Sequence, residues 1–156
     1  MNKFWWLLTL VLIWGSCTNE DLLFEENLPL ENALWKSDNM ATFAFEVQDT
    51  LSYYDISINL RNNNSYPYSN IYLFVTIEFP NGKTHLDTLD HHLADPSGKW
   101  YGTGIGDIYD NRYPLIDNLA FPIKGNYQVK IVHAMRNSHL KGIENVGLRV
   151  EKHHVN

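Results

Sequence analysis

Ile71-Tyr-Leu-Phe-Val-Thr-Ile-Glu-Phe79, followed at once by Pro80-Asn81-Gly82, is the stretch that decides how this chain folds. Ile71, Leu73, Val75, Ile77 and Phe79 fall on one side of an extended chain, with Tyr72 and Phe74 on the other. A period of two with apolar residues on both faces reads as a central strand. Asn-Gly is the dipeptide of a two-residue type I′ hairpin, which needs positive φ at both positions, so residues 83–89 are predicted to return antiparallel.

The same period extends outward in both directions. Phe43, Phe45 and Val47 share one face, and Tyr54, Ile56, Ile58 and Leu60 alternate with Asp55, Ser57 and Asn59. Toward the C-terminus, Tyr127, Val129 and Ile131 alternate with Gln128 and Lys130, and Val146, Leu148 and Val150 with Gly147, Arg149 and Glu151. Turn signals separate these runs at 62–64, 95–98 and 124–126, and no 3.6-residue period intervenes. The chain is therefore predicted to be all-β, an antiparallel β-sandwich of immunoglobulin-like or jelly-roll-like type over residues 40–152. Residues 90–122 show little periodicity, and because so long a loop is uncommon, a strand is expected near Trp100.

The N-terminus carries a different signal. Lys3 precedes an apolar run from Phe4 to Trp14, interrupted only by Thr9, and Gly15-Ser16 lead into Cys17. As a helix this run spans about 16 Å, roughly half a bilayer's hydrocarbon core, so it reads as a cleaved secretory signal rather than a span. Small residues before a cysteine form a lipobox, although Trp14 stands where leucine is commoner. Residues 1–16 are accordingly expected to be a lipoprotein signal peptide. Cys17 would become the new N-terminus, carrying diacylglycerol and an acyl chain such as palmitate, enough for firm attachment. Residues 17–39, with Glu20, Asp21, Glu25 and Glu26 among Leu22, Leu23 and Phe24, are expected to be a tether and lead-in to the domain.

Composition excludes several classes of function. The 156 residues hold 12 Lys+Arg against 18 Asp+Glu, a net charge of −6 with no basic cluster, which argues against a nucleic-acid partner. Cys17 is the only cysteine, so once acylated it leaves no thiol for disulfides or nucleophilic catalysis. The seven histidines include His91-His92, but adjacent strand residues point to opposite faces, and no metal site is expected. Gly102-Thr-Gly-Ile-Gly106 meets neither phosphate-loop pattern and reads as a glycine-rich bend; no cofactor is implied. Asp107, Asp110 and Asn111 do not follow the calcium-loop order. Ser97 sits in a Pro-Ser-Gly turn outside any nucleophile motif, so no catalytic residue is assigned and the chain is read as a non-enzyme. Tyr66, Pro67 and Tyr68, with Trp100, form the candidate binding loop for a sugar or peptide; the competing reading packs a tyrosine on the proline, with a cis Tyr66–Pro67 bond.

Several strings together, RNNNSYPYSNIYLFVTIEFPNGK (61–83), ADPSGKWYGTGIGDI (94–108) and VGLRVEK (146–152), resemble the GldH-type gliding-motility lipoproteins of Bacteroidetes. The resemblance runs from about Thr42 to Lys152, and Cys17 agrees with it. It implies a lipid-anchored, noncatalytic accessory component of the gliding apparatus, tied in that phylum to type IX protein secretion. The implied partners are the membrane, through the anchor, and other gliding or secretion proteins. The implied location is the cell envelope, the outer membrane in preference to the inner.

Overall fold

The computed structural model describes residues 21–154; the expected signal segment 1–16 and Cys17 lie outside the described residues. Ten strands follow in order: β1 (Leu22–Pro29), β2 (Leu34–Lys36), β3 (Ala41–Val47), β4 (Tyr53–Asn63), β5 (Asn70–Glu78), β6 (Thr84–His92), β7 (Ile108–Ala120), β8 (Gly125–His133), β9 (His139–Lys141) and β10 (Ile143–Lys152). Their pairing is nested and wholly antiparallel. β5 pairs with β6, β4 with β7, β3 with β8, β2 with β9 and β1 with β10, so the chain is one long hairpin whose tip is the β5–β6 turn.

Two further ladders, β10 with β4 and β8 with β5, roll that hairpin into two four-stranded sheets. The first has the order β1-β10-β4-β7 and the second β3-β8-β5-β6; β2 and β9 form a separate short pair. Nested pairing rolled into two sheets is the jelly-roll arrangement, which selects one of the two sandwich types expected from the sequence.

Alternation is what makes the roll close. Ile56, Ile58 and Leu60 on β4, with Val146, Leu148 and Val150 on β10, face Phe43, Phe45, Leu73, Val75, Val129 and Ile131 of the second sheet, all buried. Aromatic rings bridge the sheets toward the end where the chain enters. Phe24 of β1 lies 5.4 Å from Phe45, and Phe45 and Phe121 are 5.9 Å apart edge-on. At the other end the β2–β9 pair closes the core with Trp35 and Leu140.

Four sequence expectations are corrected. β5 is an inner strand, but Tyr72 and Phe74 are exposed, because among the described residues no third layer covers the second sheet. The hairpin after β5 is not type I′. Gly82 has φ 78° while Asn81 does not have positive φ; Gly82 N–H donates to Phe79 C=O and Phe79 N–H to Lys83 C=O, at 2.9 and 2.8 Å. Pro80 presets the first turn position, giving a three-residue loop that ends in a left-handed glycine. The expected tether is, from Leu22 onward, strand β1: Phe24 and Leu28 pack on the core while Glu25 and Asn27 face outward, so its acids mark the wet face of an edge strand. Finally, Trp100 makes only an isolated bridge with Ala94, and the missing strand is β7. β7 is an edge strand interrupted by Pro114, by register shifts and by Asn118 at φ 56°, which hides its period.

Two glycines separate conformation from collision. Gly82 (φ 78°) has open space around it, whereas at Gly142 (φ 82°) an added Cβ would stand 2.3 Å from the Tyr66 nitrogen. Gly82→Ala is expected to lower stability by about 1 kcal/mol, and Gly142→Ala by roughly 2–3 kcal/mol, in equilibrium urea unfolding. Equal losses would show that the Tyr66 loop can move away from β9–β10.

Candidate functional site

The four residues of the expected binding loop do meet, at the end of the sandwich away from Leu22, but in two different roles. Tyr66 is only 4% exposed; its hydroxyl donates to Asn70 C=O at 2.7 Å, and burial pushes the phenol's pKa well up. Its ring lies 5.8 Å from Tyr68 edge-on and 6.3 Å from Trp100. Tyr66 is thus a core residue that fixes the loop, and no peptide bond among the described residues is cis. Pro67 and Tyr68 reach the surface. Trp100 is half-buried, donating from Nε1 to Asn64 Oδ1 at 3.0 Å and lying against Tyr109 at 5.7 Å. Ser97 donates its hydroxyl to Asp95 at 2.6 Å within the 95–99 turn.

Sequence reasoning missed a polar groove on the outer face of the first sheet. Register places Asn27, Gly147, Asn59 and Arg112 in one row across β1, β10, β4 and β7. Glu25 is the hub of the adjoining charges: it pairs with the Arg149 guanidinium, lies 3.5 Å from Arg112 and accepts from Asn59 Nδ2 at 3.1 Å. Arg112 Nε donates to Asn59 Oδ1 at 3.0 Å, and Arg61 bonds Asp110 through two nitrogens at 2.6 and 3.2 Å. Arg149 also holds Glu151 at 2.6 Å, which keeps that carboxyl below its usual pKa. Gly147 fits closely here, since a Cβ would sit 2.8 Å from Glu26 C=O and would displace the Asn27 side chain. No short motif encodes this cluster, because its members come from four strands.

One wall of the groove is the segment Tyr101–Thr103, and the open groove has a volume of about 630 Å³. Thr103 and Asp110 exchange backbone hydrogen bonds at 3.0 and 2.7 Å, pinning the wall to β7. That close approach explains the glycine-rich block: a Cβ at Gly104 would lie 1.8 Å from Ile108 C=O, and Gly106 turns the chain at φ 73°. Tyr101 is 59% exposed on the wall. With guanidiniums and carboxylates paired to one another, the groove offers amide and guanidinium hydrogen bonds and an aromatic ring rather than net charge. Such a lining suits a neutral polar ligand better than an anion.

The outer face of the second sheet differs in character. Tyr72 and Phe74 on β5, Leu86 on β6 and Val132 on β8 form an apolar patch, with Phe74 opposite Val132 in register. Lys130 and Glu78, paired at 3.0 Å, and Asp90 flank it. An apolar centre with a polar rim is the composition of a protein-docking surface.

The histidines are dispersed. His91 stacks on Tyr113 at 4.3 Å, and His133 is buried edge-on to Trp35 at 5.4 Å; burial lowers the pKa of both. Burial likewise pushes the Tyr113 phenol up to about 12. His153 Nδ1 meets Asp55 at 2.8 Å, and that carboxylate also accepts Asn118 N–H at 2.8 Å. Among the described residues, no group of three or more His, Cys, Asp or Glu is placed to hold a metal ion.

Lowered histidine pKa values give stability a sign with pH. Unfolded His91 and His133 bind protons near pH 6.5, above their folded values, so the unfolded chain takes up more protons as pH falls. Stability is expected to be level above about pH 7 and to decline from about 6.5 toward 5. His133→Gln combined with His91→Gln should flatten the decline in urea midpoints measured across that range.

Comparison with known proteins matches residues 22–150 to the GldH lipoprotein family model. The gliding motility lipoprotein GldH of Flavobacterium johnsoniae is 37% identical over 153 residues, covering 94% of each chain. A gliding motility lipoprotein GldH homolog of Christiangramia forsetii is 35% identical over 149 residues, covering 91% of this chain and 90% of that one.

Proposed function

The chain belongs to the GldH lipoprotein family, and from that membership we propose an exported lipoprotein, acylated at Cys17, that acts in gliding motility. In this reading residues 1–16 are the cleaved signal peptide. The sandwich is a noncatalytic part of the gliding and type IX secretion apparatus in the cell envelope, the outer membrane in preference to the inner. The observation that carries it is the family match over residues 22–150, which spans both sheets from β1 to β10 and includes every surface described above.

The mechanism is tethering plus recognition. Acylation confines the domain to a membrane surface, which raises its effective concentration toward neighbouring proteins, so an interface of modest area suffices. The apolar patch of Tyr72, Phe74, Leu86 and Val132 is the surface best suited to that contact. Cys17→Ala is expected to release the protein from the membrane fraction and to abolish surface spreading or secretion of type IX cargo in the native host. Phe74→Arg is expected to keep the protein folded and membrane-bound while reducing both readouts and the yield of co-purifying envelope proteins. A Cys17→Ala protein that stayed in membranes and supported function would overturn the reading.

The groove favours a second reading, an envelope lipoprotein that binds a carbohydrate or peptide. Tyr101, Asn59 and Arg112 replace Tyr66 as its contacts, since Tyr66 is buried. Saturable binding on a broad glycan array is expected to be lost in Tyr101→Ala with Arg112→Ala. Silence of the unaltered protein on that array would remove this reading.

A further inference from the structure

The turn between β3 and β4 holds an apolar side chain almost entirely in solvent. Leu51 is 91% exposed and Tyr53, two residues on, is 53% exposed. The turn is not loose. Asp49 Oδ1 accepts the backbone N–H groups of Leu51 and Ser52 at 2.9 and 3.2 Å, Ser52 Oγ donates to Asp49 Oδ2 at 2.6 Å, and the core residue Tyr54 donates its hydroxyl to Asp49 C=O at 3.3 Å. Leu51 is therefore held outward by a locally closed hydrogen-bond set.

Its position gives this exposure a meaning. Lys152 N–H donates to Asp21 C=O and His153 N–H to Tyr53 C=O, at 2.7 and 2.8 Å, so Asp21 and Tyr53 flank the last residues of β10 on either side. Adjacent strands lie about 4.8 Å apart, which puts these two backbones roughly 10 Å from each other. Only three residues lie between Cys17 and Asp21, four steps of chain and a leash of about 14 Å at most. A lipid on Cys17 holds this end of the sandwich, and no other, against the bilayer. β4 runs from Tyr53 to Asn63, about 33 Å, so the 101–106 segment beside Asn63 stands at the far end.

We propose that the Asp49–Tyr53 turn is a membrane-contacting edge, with Leu51 seated at the headgroup–acyl boundary and Tyr53 at headgroup depth, so that the sandwich stands upright on the bilayer. The proposal rests on acylation of Cys17. The partner is a phospholipid surface. Lys152 acts on Asp49, and Asp21 and Asp55 lie against His154 and His153 at 3.2 and 2.8 Å, so the charges at this edge are mixed and recognition is by apolar insertion and an aromatic at the interface rather than by attraction to anionic lipid. Contact by this edge leaves the groove on the side of the sandwich, clear of the membrane, and the Tyr68–Trp100 loop at the far end.

The test uses the acylated protein purified from membranes and placed in vesicles of zwitterionic phosphatidylcholine and phosphatidylethanolamine. With Cys17 acylated, Leu51→Cys supplies the only free thiol, which takes an environment-sensitive fluorophore; Ile105→Cys, at a position 95% exposed, gives the far-end comparison. The label at 51 is expected to shift to the blue, brighten several-fold and be quenched by lipids carrying a nitroxide high on the acyl chain, unchanged between low and high salt. The label at 105 should stay water-like. Water-like emission at both positions would overturn the inference while leaving the anchor intact. The mass of the N-terminal peptide tests the anchor separately: an unacylated Cys17 removes the premise itself.

Discussion

The nested antiparallel ladder is the constraint on which the rest of the molecule depends. Each strand is paired with the one equally far from the Pro80–Gly82 turn, from β5·β6 at the tip to β1·β10 at the open end. Nesting puts the two ends of the domain side by side, and the β10·β4 and β8·β5 ladders then force the long hairpin to roll. Rolling brings the alternating apolar residues of eight strands into one core. At about 25 cal/mol per Å² of apolar area removed from water, that burial is the main driving force, while the ladders decide which face of each strand receives it.

The strands that were legible in the sequence are those with a clean inner face. β3, β4, β5 and β8 each alternate buried with more exposed residues over seven or more positions, β10 buries Val146, Leu148 and Val150 at the same spacing, and period two is a local property. β1 and β7 lie at the two edges of the first sheet, half wetted, so Glu25, Glu26, Asp110 and Pro114 break the pattern without breaking the strand. β2 and β9, three residues each, are too short to show a period and exist because Trp35 and Leu140 close the core. The candidate site was legible only as composition. Tyr66, Tyr68 and Trp100 do lie together, but which ring is exposed depends on Gly142 and the β9–β10 backbone, far away in sequence.

The two outer faces divide the remaining work. On the first sheet, Glu25, Arg149, Arg112 and Asn59 satisfy one another, which keeps a polar surface rigid and nearly neutral. Arg112 is about half exposed, so its pairing contributes little to stability, whereas Arg149 and Glu25 are mostly buried against each other and fix the geometry of the row. On the second sheet, Phe74 and Leu86 stay exposed, outside the core that holds the two sheets together. A face that the fold does not need to be apolar is a face available to another protein.

Membership of β1 in the first sheet also changes what an anchor can do. Were residues 17–39 a free tether, a lipid on Cys17 would restrict only the domain's distance from the membrane. Because β1 begins at Leu22 and pairs through Pro29 with β10, a lipid on Cys17 would be tied within a few residues to the sheet itself. A load applied between Cys17 and a partner at the far end would run along β1 and be borne by the whole β1·β10 ladder in shear, rather than by opening its hydrogen bonds one at a time. If Cys17 is acylated as proposed, the edge strand that takes the load is also part of the core, through Phe24 and Leu28, so pulling on the anchor would work against core packing as well as against the ladder.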